Sequence, residues 1–183
     1  MATMIARMAG IDVDNYMYKN AFSDVTASFW GAGAIQACVD NGLVEAYSYG
    51  RFEPELPATR TMISYAIAKI LGVEDVEPIY IKATDTEDSK GKIPVEQMLR
   101  LNIIDGYSNG TAKPDKYITR AEAMVIINNY LFRGELFSEN NNATEFRQFT
   151  DLPYGHWAYN HIMEPTCDHD FVRTYDGNEL LAD

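Results

Sequence analysis

The stretch that decides the fold is GYSNGTAKPDKYITRAEAM, Gly106 to Met124. A glycine-rich turn leads to Pro114, and Thr119-Arg120-Ala121-Glu122 then opens an apolar helical run. Thr119 and Glu122 have the spacing of a capping box, in which each side chain satisfies the other's free backbone donor. Arg120 sits in the turn where the helix dipole favours anions, so its own charge gains nothing from that field. A bound carboxylate, gripped by two parallel guanidinium hydrogen bonds, would account for it; so would an ion pair with Asp105 or Asp115.

Much of this pattern occurs sixty residues earlier, where Tyr47, Gly50, Pro54, Thr59 and Arg60 fall on Tyr107, Gly110, Pro114, Thr119 and Arg120. A second offset, of 127, carries Phe22, Asp24, Trp30, Ile35 and Gly50 onto Phe149, Asp151, Trp157, Ile162 and Gly177. The Phe-x-Asp start is FSDV at Phe22, FTDL at Phe149 and, eroded, ATDT at Ala83. MIARMAG, Met4 to Gly10, matches AIAKILG, Ala66 to Gly72. The expected organisation is a closing helix of a preceding unit over 1–20, full units over 21–80 and 81–145, and a front half over 146–183 that could pair with 1–20.

Each unit reads as helix, loop, helix. The spacing predicts a first helix over Ser28 to Asp40, with Trp30, Ala34, Ile35 and Cys38 on one face and Gly42 ending it. A second helix is predicted from Thr59 to Gly72, with Met62, Ile63, Ala66, Ile67 and Ile70 on its apolar side. Met124, Val125, Ile127 and Leu131 take that role in the middle unit. Met62 stands where a capping box needs an acid, so the first unit's cap should be the weaker. Gly50 and Gly110 read as turn positions that need positive φ and would let a ligand approach the backbone. Two amphipathic helices cannot bury both stripes alone, so the copies must pack together. The expectation is a mainly α fold of tandem helix-loop-helix repeats in a closed, pseudo-threefold array, without a substantial sheet.

The chain has 183 residues, 46% of them hydrophobic, and a net charge of -12. That balance leaves no basic surface to displace counterions, which excludes non-specific nucleic-acid binding. No apolar run approaches the roughly 20 residues that span a bilayer, and MATMIARMAG, with Arg7 in its middle, lacks the form of a signal peptide. Cys38 and Cys167 make no disulfide framework and leave the redox compartment open. Cys167, His169 and nearby His161 carry zinc-ligand chemistry, but their spacing fits no finger, so no metal or other cofactor is expected. DTEDSKGK lacks the glycine and terminal Glu of a calcium loop. Asn142-Ala143-Thr144 matches a glycosylation acceptor inside a polar loop. No acid–base pair or triad emerges, so catalysis is not expected.

These residues resemble the S-layer homology (SLH) family, whose units run Phe-x-Asp-Val, Trp-Ala-x-x-Ala-Ile, Gly-Tyr-x-Asp-Gly-x-Phe-x-Pro and Thr-Arg-Ala-Glu. The likeness rests on Phe22-Ser23-Asp24-Val25, Trp30, Ala34-Ile35, Gly50-Arg51-Phe52-Glu53-Pro54 and Thr59-Arg60 in the first unit. Gly106-Tyr107-Ser108-Asn109-Gly110 with Ile118-Thr119-Arg120-Ala121-Glu122 carries it in the middle, and Phe149-Thr150-Asp151 with His156-Trp157-Ala158 in the last. The resemblance implies a three-pronged array that holds exported proteins on the bacterial cell surface by binding a secondary cell-wall polymer, often through a pyruvyl ketal. It implies binding by Arg60 and Arg120 in grooves between units, beside Tyr107, Gly50 and Gly110. Trp30 and Trp157, at a helix start beside other apolar residues, read as core or groove wall, with sugar platforms as the alternative, and Thr119 and Glu122 as a structural cap. The departures are Thr61-Met62 in the first motif, no Phe or Trp in the middle unit, and no Thr-Arg in the last, where Pro165 cuts the helix short. They leave a second reading open, a degenerate repeat kept as a structural or protein-interaction scaffold.

Overall fold

The computed structural model describes all residues except 18–21, 49, 138–148, 167–169, 176 and 182–183. The fold is mainly helical, and the chain falls into two compact units, Met1–Ile118 and Thr119–Asp183, a division that lies inside the middle copy. The first unit holds α1 (Ala2–Met8), a 3-10 turn (Val13–Tyr16), α2 (Ala32–Asp40), α3 (Arg60–Leu71) and α4 (Lys92–Arg100). The second holds α5 (Arg120–Tyr130), β1 (Leu136–Phe137), α6 (Tyr159–Met163), a 3-10 turn (Glu164–Thr166), β2 (Phe171–Arg173) and β3 (Glu179–Leu181).

The closing helices begin at the two threonines. Thr119 Oγ1 accepts from Glu122 N–H at 3.1 Å, and Glu122 Oε2 accepts from Thr119 N–H at 2.8 Å. In the first copy Thr59 Oγ1 accepts from Met62 N–H at 3.3 Å, and the return bond goes to Met62 Sδ at 3.5 Å. A thioether is a weak acceptor, so the box survives there in shape with one poor arm. α3 closes at Gly72, whose left-handed φ of 69° suits a residue without Cβ.

Three expectations need correction. Met62, placed on the apolar side of α3, is exposed. α2 begins at Ala32, four residues later than Ser28, because turns closed by Phe29 N–H to Thr26 O and Ala32 N–H to Phe29 O precede it. Trp30 therefore lies outside the helix and is 81% exposed, with the Phe29 ring 5.7 Å away. In α5 the buried stripe is Ala123, Ile126 and Ile127; Leu131, placed past the last turn as the C-cap, is exposed.

Packing follows one rule repeated three times. α1 lies against α2, α3 against α4, and α5 against α6. α3, which closes one copy, covers α4, which opens the next. Ile5 and Ala6 of α1, Ala34, Ile35 and Cys38 of α2, and Ala66 of α3 form one core with Phe22 and Val25. Ile63 and Ile67 of α3, with Val95 and Met98 of α4, are wholly buried; burying such a side chain is worth about 1.5–3 kcal/mol. Gly91, just before α4, permits the approach, since a Cβ there would stand 2.2 Å from Thr61 Oγ1 and 2.8 Å from its methyl. Where the middle copy lacks the starting Phe, buried Glu96 holds the start instead. It accepts from Lys82 N–H, Ala83 N–H and the Thr86 hydroxyl at 2.7, 3.0 and 2.6 Å.

The last copy departs from the others. α6 gives way to a 3-10 turn at Pro165, as the proline predicts. A short three-stranded sheet follows, with β3 central, β1 parallel to it and β2 antiparallel. Its strands are two or three residues long.

Glu122→Ala should destabilise its unit by about 0.5–2 kcal/mol, and Met62→Glu should stabilise the other by about 0.5–1 kcal/mol, both read from urea unfolding. Gly91→Ala should cost about 1–3 kcal/mol, and less in a Thr61→Ala background, a coupling that a double-mutant cycle measures.

Candidate functional site

The site is built from the turn between the two helices of a copy. Ser23 N–H and its hydroxyl both donate to Gly50 O, at 2.7 and 3.1 Å. Thr84 repeats this on Gly110 O at 3.0 and 3.3 Å. The next residue of each start, an aspartate, clamps the far side. Asp24 accepts from Phe52 and Glu53 N–H at 3.0 and 2.8 Å, and Asp85 from Ala112 and Lys113 N–H at 2.7 and 2.8 Å. The clamp holds two non-glycine residues, Glu53 and Lys113, at φ of 58° and 50°. Gly50 and Gly110 sit at φ of 69° and 79°, as their turn role requires. In the first copy the Phe22 and Phe52 rings meet at 5.7 Å; their middle-copy counterparts, Ala83 and Ala112, are both buried.

Both carboxyls titrate below their ordinary value of 3.8. For Asp24 the leading cause is the Phe52 N–H bond. For Asp85 burial pushes upward, and the N–H groups of Ala112 and Lys113 outweigh it.

Arg60 is where two copies meet. It is buried, and among the described residues its charge is answered by carbonyls of the middle copy rather than by a carboxylate. Nε donates to Ala112 O at 2.8 Å and Nη2 to Asp105 O at 2.6 Å. The backbone N–H groups of Arg60 and Thr61, which a helix start leaves unpaired, donate to Lys116 O and Pro114 O, both at 3.0 Å. Ile118 N–H returns a bond to Ala58 O. The arginine in a helix's first turn is thus explained locally, and the N-terminus of α3 is filled by peptide oxygen.

The Arg60 guanidinium also lies 5.4 Å from the centroid of the Tyr107 ring. Lys113 Nζ lies 4.1 Å from the same centroid and Lys116 Nζ 5.5 Å from it. Sequence reasoning named Arg60, Tyr107 and Gly110 and missed both lysines. Their signal was the change at the aligned positions of the first copy, which are Glu53 and Leu56. There Glu53 pairs with Arg51 at 2.9 Å.

The remaining residues lie elsewhere. Arg120 is exposed and makes no ion pair among the described residues. Trp157 is 62% exposed beside His156. Cys38 is buried, donates to Ala2 O, and its thiol is pushed up to about 11 by burial. Cys167, His169 and Asn142 lie outside the described residues. Among the described residues no group of His, Cys, Asp and Glu could hold a metal, and no helix is long and apolar enough to cross a membrane.

Clamped turns, capped closing helices and copy-on-copy packing define a tandem helical repeat module. Residues 21–60 and 84–124 match the model of the S-layer homology domain, and the chain carries S-layer homology repeats. It is similar to Cell surface glycoprotein 1 of Acetivibrio thermocellus, 31% identical over 93% of this chain and 8% of that protein. It is also similar to the Cellulosome-anchoring protein of the same organism, 30% identical over all of this chain and 41% of that protein. The chain spans less than half of either relative, and the matches point to the cell surface.

Because the folded carboxyls of Asp24 and Asp85 titrate low, the stability they contribute is fully present above their ordinary value of 3.8 and is lost as pH falls through their lowered folded values. Asp24→Asn and Asp85→Asn should each lower the melting temperature at pH 7 by several degrees and flatten its fall below about pH 4, as thermal unfolding across pH would record.

Proposed function

We propose that the chain is a non-catalytic anchoring module that binds a secondary cell-wall polymer at the bacterial surface through an anionic substituent such as a pyruvyl ketal. The observation that carries this reading is the collection of positive charge at Tyr107. In a chain of net charge -12, Arg60, Lys113 and Lys116 all come within 5.5 Å of one ring centroid. An acidic chain attracts an acidic polymer only where cations are gathered locally. Arg60, Tyr107 and Gly110 form the first site in this reading, and Gly50 is the corresponding approach in the first copy. Arg120 is a second charge, supported by its exposure and its lack of an ion pair among the described residues. Trp30 and Trp157 are sugar platforms, supported by the large aromatic surface each leaves in water. The pseudo-threefold array belongs to the same proposal and rests on the order of copies along the sequence. The family match and the name of the anchoring relative support the role.

One observation favours the scaffold reading for the first copy. Its turn carries Glu53 paired with Arg51 and Leu56 where the middle copy carries its two lysines.

Sedimentation of the chain with purified bacterial cell walls tests the proposal. The wild type should co-sediment, chemical removal of the wall's acidic substituents should release it, and Arg60→Ala with Arg120→Ala should weaken binding by tenfold or more. Wild-type binding retained by the double variant would end the arginine mechanism.

A further inference from the structure

The geometry points to Lys113 and Lys116, rather than the fork of Arg60, as the groups that touch the anion, so that this site reads charge and not carboxylate shape. The inference rests on the anchoring reading above and deepens it. A guanidinium recognises a carboxylate by presenting two parallel N–H donors. Of a guanidinium's two paired-donor edges, Arg60 has its Nε–Nη2 edge taken, because Nε and Nη2 donate to Ala112 O and Asp105 O, and burial leaves its Nη1–Nη2 edge little access to a ligand. The residue is only 6% exposed. It is a positioning residue that fixes the middle copy's turn, with Tyr107 over it.

The lysines are built into that turn. Lys113 is held in the left-handed region by Asp85, whose two oxygens accept from Ala112 and Lys113 N–H. Asp85, whose charge reaches Lys113, is thus engaged by the backbone, and the Lys113 ammonium makes no ion pair among the described residues. It stands 4.1 Å from the Tyr107 centroid, with the Lys116 ammonium 5.5 Å from the same point. Both residues are exposed. Three cations around one ring lie within roughly a Debye length, about 10 Å, of one another, so their fields add rather than being screened apart. An ammonium is a compact point charge with rotatable donors and no planar preference. Two of them accept a tetrahedral phosphate as readily as a planar carboxylate, and hold the group with more charge more tightly. The first copy, with Glu53 and Leu56 at these positions, has no such site.

The test titrates the full chain, followed by amide shifts of Gly110 and Lys113, with three probes: a methyl glucoside carrying a 4,6-pyruvyl ketal, glucose 6-phosphate, and uncharged methyl glucoside. Wild type should bind both anions, the phosphate at least as tightly as the ketal, and the neutral sugar at least tenfold more weakly. Lys113→Gln with Lys116→Gln should lose tenfold or more for both anions while the melting temperature stays within a few degrees. Lys113→Glu, the first copy's residue, should abolish binding. Arg60→Lys should lower the melting temperature yet, measured where it is folded, keep affinity within threefold. The proposal falls if the double glutamine variant binds within twofold of wild type, or if folded Arg60→Lys loses as much as that variant. It falls equally if the ketal is preferred tenfold over the phosphate. Wall sedimentation separates the two levels. A double glutamine variant that still binds walls like wild type overturns the lysine mechanism and leaves anchoring standing. A wild type that ignores walls but binds the anions through the lysines overturns anchoring alone.

Discussion

The structure depends on one contact, the closing helix of a copy laid on the opening helix of the next. A lone copy has two apolar stripes and no partner for either. Ile63 and Ile67 of α3 are fully buried, as are Val95 and Met98 of the α4 packed against it, and Ile5 and Ala6 of α1 are buried in a core shared with α2. The same junction also carries hydrogen bonds. Arg60 crosses with the helix start, and its backbone and side-chain donors meet the Lys116, Ala112 and Asp105 carbonyls. Apolar burial supplies the energy of the contact and these directional bonds fix its register.

The turn beneath that junction is over-determined for a reason. Left-handed backbone at a residue with a Cβ is uncommon and costs energy. Glu53 and Lys113 both adopt it, and in both copies an aspartate from the Phe-x-Asp start receives their N–H. The motif aspartate is therefore a structural clamp that converts a sequence start into a turn shape some thirty residues later. Because the backbone is held by bonds to Asp24 or Asp85, the side chain at the clamped position is free to vary. The first copy uses an acid there and the middle copy a lysine without any change of fold.

This separation decides what the sequence could reveal. The capping boxes, Gly72, the turn glycines and the effect of Pro165 were legible because each is local chemistry within a few residues. The pairing of copies was legible as a necessity, since no copy could bury its own stripes. Trp30 was misjudged because aromatic spacing implied a helix face, while two consecutive turns delay the helix to Ala32. The partners of Arg60 were not legible, because carbonyl oxygens of a neighbouring turn leave no signature in side-chain identity. The short sheet of the last copy escaped for a similar reason: strands of two or three residues have no period to detect.

The repeated architecture also explains how motif erosion and recognition can coexist. The middle copy has lost both aromatic members of the contact seen at Phe22 and Phe52, with Ala83 and Ala112 in their places. It keeps the clamp and the glycine carbonyl bonds, and adds Glu96 under its start. Losing both rings together leaves no single ring without its partner, and the peptide oxygen of Ala112 still receives Arg60. What the copy retains is the frame that aims side chains; what it changes is the chemistry aimed. Charge gathered at Tyr107 and absent from the matching turn of the first copy is the result expected when a rigid backbone is shared and its outward positions are not.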